Sequence, residues 1–198
     1  MKVGFFALCM AGALVIALAL GRAGAAEGPE ADKAAAEMEA WAELAKPGEK
    51  HAALLKSVGT WTVESKHWMA PDAEPTVSKG KAVFTSLLDG RFVKQEFEGE
   101  FMGKPFRGIG WSGFNNATGK YEDVWIDTLN TGIITMTGAE TEPGVIEYTG
   151  SFAGAGGVEM TMRSVIRKPG PDEQRMEMYC TIGDVEMKCM EGVYTRAR

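Results

Sequence analysis

From Gly59 to its end the chain is a regular succession of short runs rich in Val, Ile, Thr, Phe, Tyr and Trp, broken at short intervals by turn residues. Such runs read as strands. Ten are expected, at 59–68, 77–88, 91–101, 105–114, 120–127, 132–138, 144–152, 158–168, 174–182 and 186–196. Between them lie Pro71-Asp72, Asp89-Gly90, Met102-Gly103, Asn115-Asn116, Asn130, Pro143-Gly144, Gly154 to Gly157, Pro169-Gly170 and Gly183-Asp184, all plausible turn chemistry. Most of these connections are too short to hold a crossover helix, so neighbouring strands must run antiparallel. A ten-stranded meander leaves two unpaired edges unless it closes on itself. The expected fold is therefore all-β: a closed or nearly closed antiparallel barrel.

Side-chain alternation assigns faces within this barrel. Met176, Met178, Cys180 and Ile182 share one face of their strand, and Met160, Met162 and Ile166 share one face of the strand before. Trp61, Val63, Ser65 and His67 share a face of the first strand, and Tyr121, Asp123, Trp125 and Asp127 a face of the fifth. Gly108, Gly110 and Gly113 permit sharp bending or close backbone approach. Glu96, Glu98 and Glu100 alternate along what reads as a solvated outer face.

The segment before Gly59 has a different character. Residues 27–58 are rich in Ala, Glu and Lys, with no β-branched residue until Val58. Glu30 to Ala45 reads as a helix with Met38, Trp41 and Leu44 at three-residue spacing, and Pro47-Gly48 breaks it. A second short helix is expected from Glu49 to Ser57, ended by Gly59. Ahead of both, Lys2 precedes an apolar run from Val3 to Leu20, and Ala23-Gly24-Ala25-Ala26 follows it. A basic start, an apolar stretch and a small-residue exit are the parts of a secretory signal peptide, expected to end near residue 26. The alternative is a retained membrane anchor, since the run approaches the roughly 20 residues that span a bilayer. The expected compartment is periplasmic or extracellular, with no membrane span after cleavage.

Cleavage removes Lys2 and Arg22 and no acid, which moves the formal charge from −6 to −8. An acidic surface repels phosphate backbones, so nucleic acid is not an expected partner. Cleavage also removes Cys9 and leaves Cys180 and Cys189, an even pair in an oxidising compartment and a candidate disulfide across the last hairpin. Two registers are open. A 183–186 loop sets Cys180 directly opposite Cys189. A 183–184 turn sets Cys180 opposite Met187, with Cys189 one pair further along the same face.

Gly59-Thr60-Trp61 opens the first strand and Tyr194-Thr195-Arg196 closes the last. This resembles the calycin pattern of lipocalins and fatty-acid-binding proteins, in which a basic residue near the chain end covers a Gly-x-Trp. The physical content is a guanidinium stacked on an indole. The sequence also resembles the bacterial exported family called domain of unknown function 1579 over about residues 41–198. The matching stretches include Pro47-Gly48-Glu49-Lys50-His51, Gly90-Arg91-Phe92 and Gly103-Lys104-Pro105-Phe106-Arg107-Gly108. They continue with Gly119-Lys120-Tyr121, Trp125-Ile126-Asp127, Arg163-Ser164-Val165, Met178-Tyr179 and Glu191 with Tyr194-Thr195-Arg196. The resemblance implies a barrel and export, and brings no activity or site with it.

The residues present narrow the chemistry. Only His51 and His67 are histidines, and neither stands in a metal-ligand spacing, so no metal and no cofactor is expected. His51 is expected to pack the second helix across the barrel bottom. No nucleophile elbow and no phosphate loop occurs, and no catalytic residue is assigned. Candidate ligand-binding residues are Arg91, Trp111, Tyr121, Trp125, Asp127, Arg163 and Met178, with Trp61 and Arg196 structural. A buried Arg91 or Arg163 would neutralise a ligand carboxylate, as the resemblance to fatty-acid-binding proteins implies. Otherwise these are exposed arginines or structural pairs with Glu177 or Asp127, and Asp127 itself also reads as a mouth residue bonding loop amides. Met136, Met160, Met162, Met176, Met178, Met187 and Met190 suit either an irregular cavity or a plain core.

Three functions are compatible with these features. The first is a barrel that holds a small apolar or amphipathic ligand. The second is a hydrolase or isomerase using Asp127, Glu191 or His67 as acid or base. The third is a structural envelope protein with a filled core. The sequence leaves the oligomeric state open.

Overall fold

The computed structural model describes residues 28–198; the expected signal peptide lies outside them. Two helices, α1 (Pro29–Leu44) and α2 (Glu49–Leu55), precede ten strands. These are β1 (Gly59–His67), β2 (Thr76–Leu87), β3 (Phe92–Phe101), β4 (Lys104–Asn115), β5 (Lys120–Asp127), β6 (Ile134–Glu142), β7 (Val145–Ala153), β8 (Glu159–Gly170), β9 (Glu173–Ile182) and β10 (Val185–Arg196). Every strand pairs antiparallel with its chain neighbours, and β10 returns to pair with β1, so the barrel is closed. The chain divides into two units between Glu43 and Leu44, so α2 belongs to the same unit as the barrel. Helix α1 buries none of its residues, and Met38 and Trp41 on its apolar side are exposed.

Register fixes which side chains face the lumen. Trp61, Val63 and Ser65 are buried inside β1, and their ladder partners share that face around the barrel. Arg196 pairs with Trp61, Tyr194 with Val63, and Gly192 with Ser65. Glu96, Glu98 and Glu100 lie on the opposite, exposed side of β3.

One end of the barrel is sealed. Helix α2 packs against β3 and β4 and buries His51 and Leu54 there. His51 Nδ1 accepts a hydrogen bond from the Gly48 amide at 3.0 Å, and its ring meets Phe114 edge-on at 5.9 Å. Beside it the first and last strands are clamped together. The Arg196 guanidinium carbon stands 4.3 Å from the Trp61 ring centroid. Its Nη1 and Nη2 donate to the Val58 and Lys56 carbonyls at 2.9 and 2.8 Å, and its Nε donates to the Pro171 carbonyl at 3.1 Å. Trp61 Nε1 donates to the Ser57 carbonyl at 2.8 Å. Gly59 explains its own place in the Gly-x-Trp pattern. It sits at φ +135°, and a Cβ there would lie 2.6 Å from Arg196 Nη1. A bare backbone is what lets the guanidinium slide over the indole.

At the other end, Cys180 and Cys189 form a disulfide with Cα atoms 5.9 Å apart. The turn is Gly183-Asp184, so Cys180 faces Met187, the second of the two registers. A bulge between Lys188 and Met190 then shifts the ladder and brings Cys189 within reach.

The clamp predicts a specific stability pattern. Arg196→Ala removes a stacked cation and three charge-assisted bonds, and should lower unfolding free energy by about 3 kcal/mol. Arg196→Lys keeps the charge without the planar fork and should recover under half of that. Urea denaturation measures both; equal stability of all three proteins would remove the clamp from the account.

Candidate functional site

Buried aromatic rings pack much of the lumen, and part of the surface that faces it stays accessible. Trp61, Phe84, Phe97, Tyr121, Tyr148 and Tyr194 are buried; Phe84 meets Trp61 and Tyr194 edge-on, and Tyr121 meets Tyr148 at 6.3 Å. Other side chains that face inward by register keep part of their surface exposed. Gln95, Ser112, Asp123, Trp125, Met136 and Met178 are all only half-buried. A lumen-facing side chain in a closed barrel stays accessible only where solvent-sized space lies in front of it. Two surface pockets lie elsewhere, at the sealed end: one of about 280 Å³ is lined by His51, Arg91, Phe114 and Asn116, and a shallower one by Lys50, Glu140 and Glu142.

The walls of this space are methionine-rich. Met136, Met160, Met162, Met176, Met178, Met187 and Met190 all face inward by register. Met162 pairs with Cys180 and Cys180 with Met187, so sulfur also continues into the disulfide. Trp125 lies flat against the inner surface of β4. A Cβ on Gly108 would fall 2.1 Å from its ring, so the glycine clears room for the indole.

Asp123 is the polar centre of the lumen. It faces Ser112 on β4 and Met136 on β6. Ser112 Oγ donates to Asp123 Oδ2 at 2.5 Å. Among the described residues this is its one protein hydrogen bond, and Oδ1 is left without a partner. No fully buried polar side-chain atom among the described residues lacks a partner, so Oδ1 faces accessible space. Burial pushes the carboxyl up to about 6, against the opposing pull of the Ser112 hydroxyl. The Tyr148 phenol is raised as well, first by burial and then by the Asp123 charge and Tyr121. Tyr194, on the facing wall, is raised by burial, opposed by its hydrogen bond with Gln95.

The other sequence candidates separate cleanly. Tyr121, Trp125 and Met178 face the lumen. Asp127 faces it at the mouth, where Oδ2 accepts from Trp125 Nε1 at 2.9 Å and Oδ1 accepts from the Leu129 amide at 2.8 Å. It therefore holds the β5–β6 loop, as one of its two readings had it. Arg163 points outward: it pairs with Thr149 and Tyr179, one step off the lumen-facing Met162 and Ser164. It makes a two-pronged bond to Glu186 at 3.0 Å and stacks on Tyr179 at 4.1 Å. Arg91 stays outside too and donates to the Ala45 and Leu88 carbonyls. Trp111 faces outward between Lys94 and Val124. Neither arginine enters the lumen to meet a ligand carboxylate. Of the acid–base candidates, Glu191 lies on the outer face beside Lys188 at 3.4 Å. His67 faces inward at the mouth within 3.3 Å of Ser78 Oγ, and burial holds its imidazole below the usual value. Asp123 was visible to alternation on the Tyr121–Asp127 face, but its depth was not.

The mouth itself carries apolar side chains. Met69, Met102, Leu129, Ile133, Val158 and Val185 are all exposed, and they sit on or beside the five connections at that end: β1–β2, β3–β4, β5–β6, β7–β8 and β9–β10.

A family model described as "Protein of unknown function (DUF1579)" matches residues 46–196, most of the chain and the whole barrel. The chain belongs to this family. The matched segment of this chain takes in the α2 cap, the clamp residues and the strands that line the lumen. Among solved structures, Rv2717c from M. tuberculosis matches with a TM-score of 0.58 at 20% identity, over 77% of this chain and all of that one. The S-type phycobiliprotein lyase CPES from Guillardia theta matches with a TM-score of 0.51 at 10% identity, over 77% of this chain and 99% of that one. At these identities the likeness is one of fold. No curated protein matches the chain in sequence.

The raised Asp123 carboxyl makes a signed prediction. A folded-state value above the unfolded value of about 3.9 stabilises the protein while the group is protonated. That contribution is complete below about pH 4 and is lost as pH rises through about 6. Asp123→Asn lacks the ionisation, so its stability relative to wild type should climb by about 2 kcal/mol between pH 4 and pH 7. Urea denaturation at both pH values measures it; a constant difference would mean that Asp123 ionises freely.

Proposed function

We propose that this protein is an exported container that holds a small, partly apolar molecule inside its barrel. The observation that carries the reading is the partial exposure of inward-facing side chains, Asp123, Trp125, Met136 and Met178 among them, in a closed barrel with one end packed shut. A filled core would bury them. The lining suits a guest of irregular shape, because thioether side chains adapt where branched ones do not. A few polar groups among apolar walls are the usual make-up of a small-molecule site. Exposed apolar side chains around the mouth favour entry of an apolar guest at that end. Export is supported by the apolar run at residues 3–20 and by the Cys180–Cys189 bridge, since disulfides persist in oxidising compartments.

The test uses N-phenyl-1-naphthylamine, a neutral apolar fluorophore. Its emission should rise on addition of the protein with a micromolar Kd, near −8 kcal/mol. Replacing lumen-facing Met136 with Arg should weaken binding at least about tenfold, or 1.4 kcal/mol, while outward-facing Thr137→Arg should leave it unchanged. Absence of binding by the wild type would leave the filled-core reading in its place.

A further inference from the structure

The lumen holds a carboxylate that no cation among the described residues answers. Arg196 is committed at the sealed end to Trp61 and three carbonyls. Lys168 stands near Lys56 at that same end. Lys104 is exposed at the rim, opposite Phe101. Among the described residues none of these pairs with Asp123, and Ser112 alone hydrogen-bonds it. Asp123 Oδ1 faces the accessible space, with Tyr121 and Trp125 flanking it on the same face of β5 and Met136 opposite.

A carboxylate surrounded by protein needs a partner of opposite sign or a strong donor to remain ionised. No described side chain supplies that partner on the side where a guest would lie. A guest carboxylate would meet like charge there and find no arginine, because Arg91 and Arg163 are both outside. An ammonium group would gain a charge-assisted hydrogen bond to Oδ1 and aromatic faces beside it. Resting on the container reading, we infer that the preferred occupant is an amphipathic amine, its ammonium group on Asp123 Oδ1 and its apolar tail among the lumen methionines. The chemistry is opposite in sign to the fatty acid that the barrel's resemblance suggests.

The test is competition against bound N-phenyl-1-naphthylamine by three probes of equal tail length: decylamine, decanol and decanoate. At about pH 7.5 decylamine should displace the fluorophore at about a tenfold lower concentration than decanol, and decanoate should be the weakest. In Asp123→Asn, whose fold is checked by circular dichroism, the amine and the alcohol should fall within about threefold of each other. In the wild type the amine's advantage should shrink as the pH is lowered from about 7.5 to about 5, while decylamine itself stays charged. An alcohol that competes as well as the amine in the wild type overturns the inference and leaves the container reading standing. An amine advantage that persists in Asp123→Asn, or that ignores pH, overturns it as well. Failure of the fluorophore and all three probes to enter removes both.

Discussion

The stacking of Arg196 on Trp61 is the contact on which the rest of the barrel depends. A ten-stranded meander has only one seam that chain connectivity does not close, the one between β1 and β10. Hydrogen bonds along that seam are worth little net, because the unfolded chain makes equivalent bonds to water. A guanidinium that covers the indole and donates to carbonyls of three residues outside β10 gives this seam a specific register. Gly59 is the price of that geometry, since any side chain there would occupy the guanidinium's position. With the seam fixed, no strand edge is left free to pair with another chain.

Sealing one end decides what the other end is able to do. Helix α2 and the clamp close the lower end, so the mouth is the way into the lumen. The Trp125 ring lies flat on β4 where Gly108 and Gly110 admit it, beside the flexible methionines and Asp123. The mouth loops are held by local devices: Asp127 fixes β5–β6, and the disulfide ties β9 to β10 below their turn. A rigid frame around an adaptable lining is the arrangement that an interior binding site requires.

Most of the architecture was legible in the sequence. Alternating β-rich runs with short turns located all ten strands within a few residues, because a half-buried antiparallel strand has little freedom in pattern. The ends of the chain announced their contact through Gly59, Trp61 and Arg196. The site was only half legible. Alternation placed Tyr121, Asp123, Trp125 and Asp127 together, but four residues along the strand separate the loop anchor Asp127 from the lumen carboxylate Asp123. That difference arises from the barrel's height and from the Leu129 amide, neither of which the strand pattern contains. Arg163 was legible in principle: Met162 beside it belongs to the inward face, so Arg163 had to point out. The β10 bulge left no mark in the sequence, and it decides how Cys189 reaches Cys180.

The central claim is an open lumen lined by methionines above a sealed base. Methyl NMR of protein labelled at the methionine ε-carbons reads that lining directly during titration with a neutral apolar guest such as decanol. The account predicts that the signals of Met136, Met176, Met178 and Met190 shift together and saturate, while exposed Met38 on α1 stays in place. Unchanged lumen signals, or shifts confined to exposed methionines such as Met38 and Met69, would contradict it.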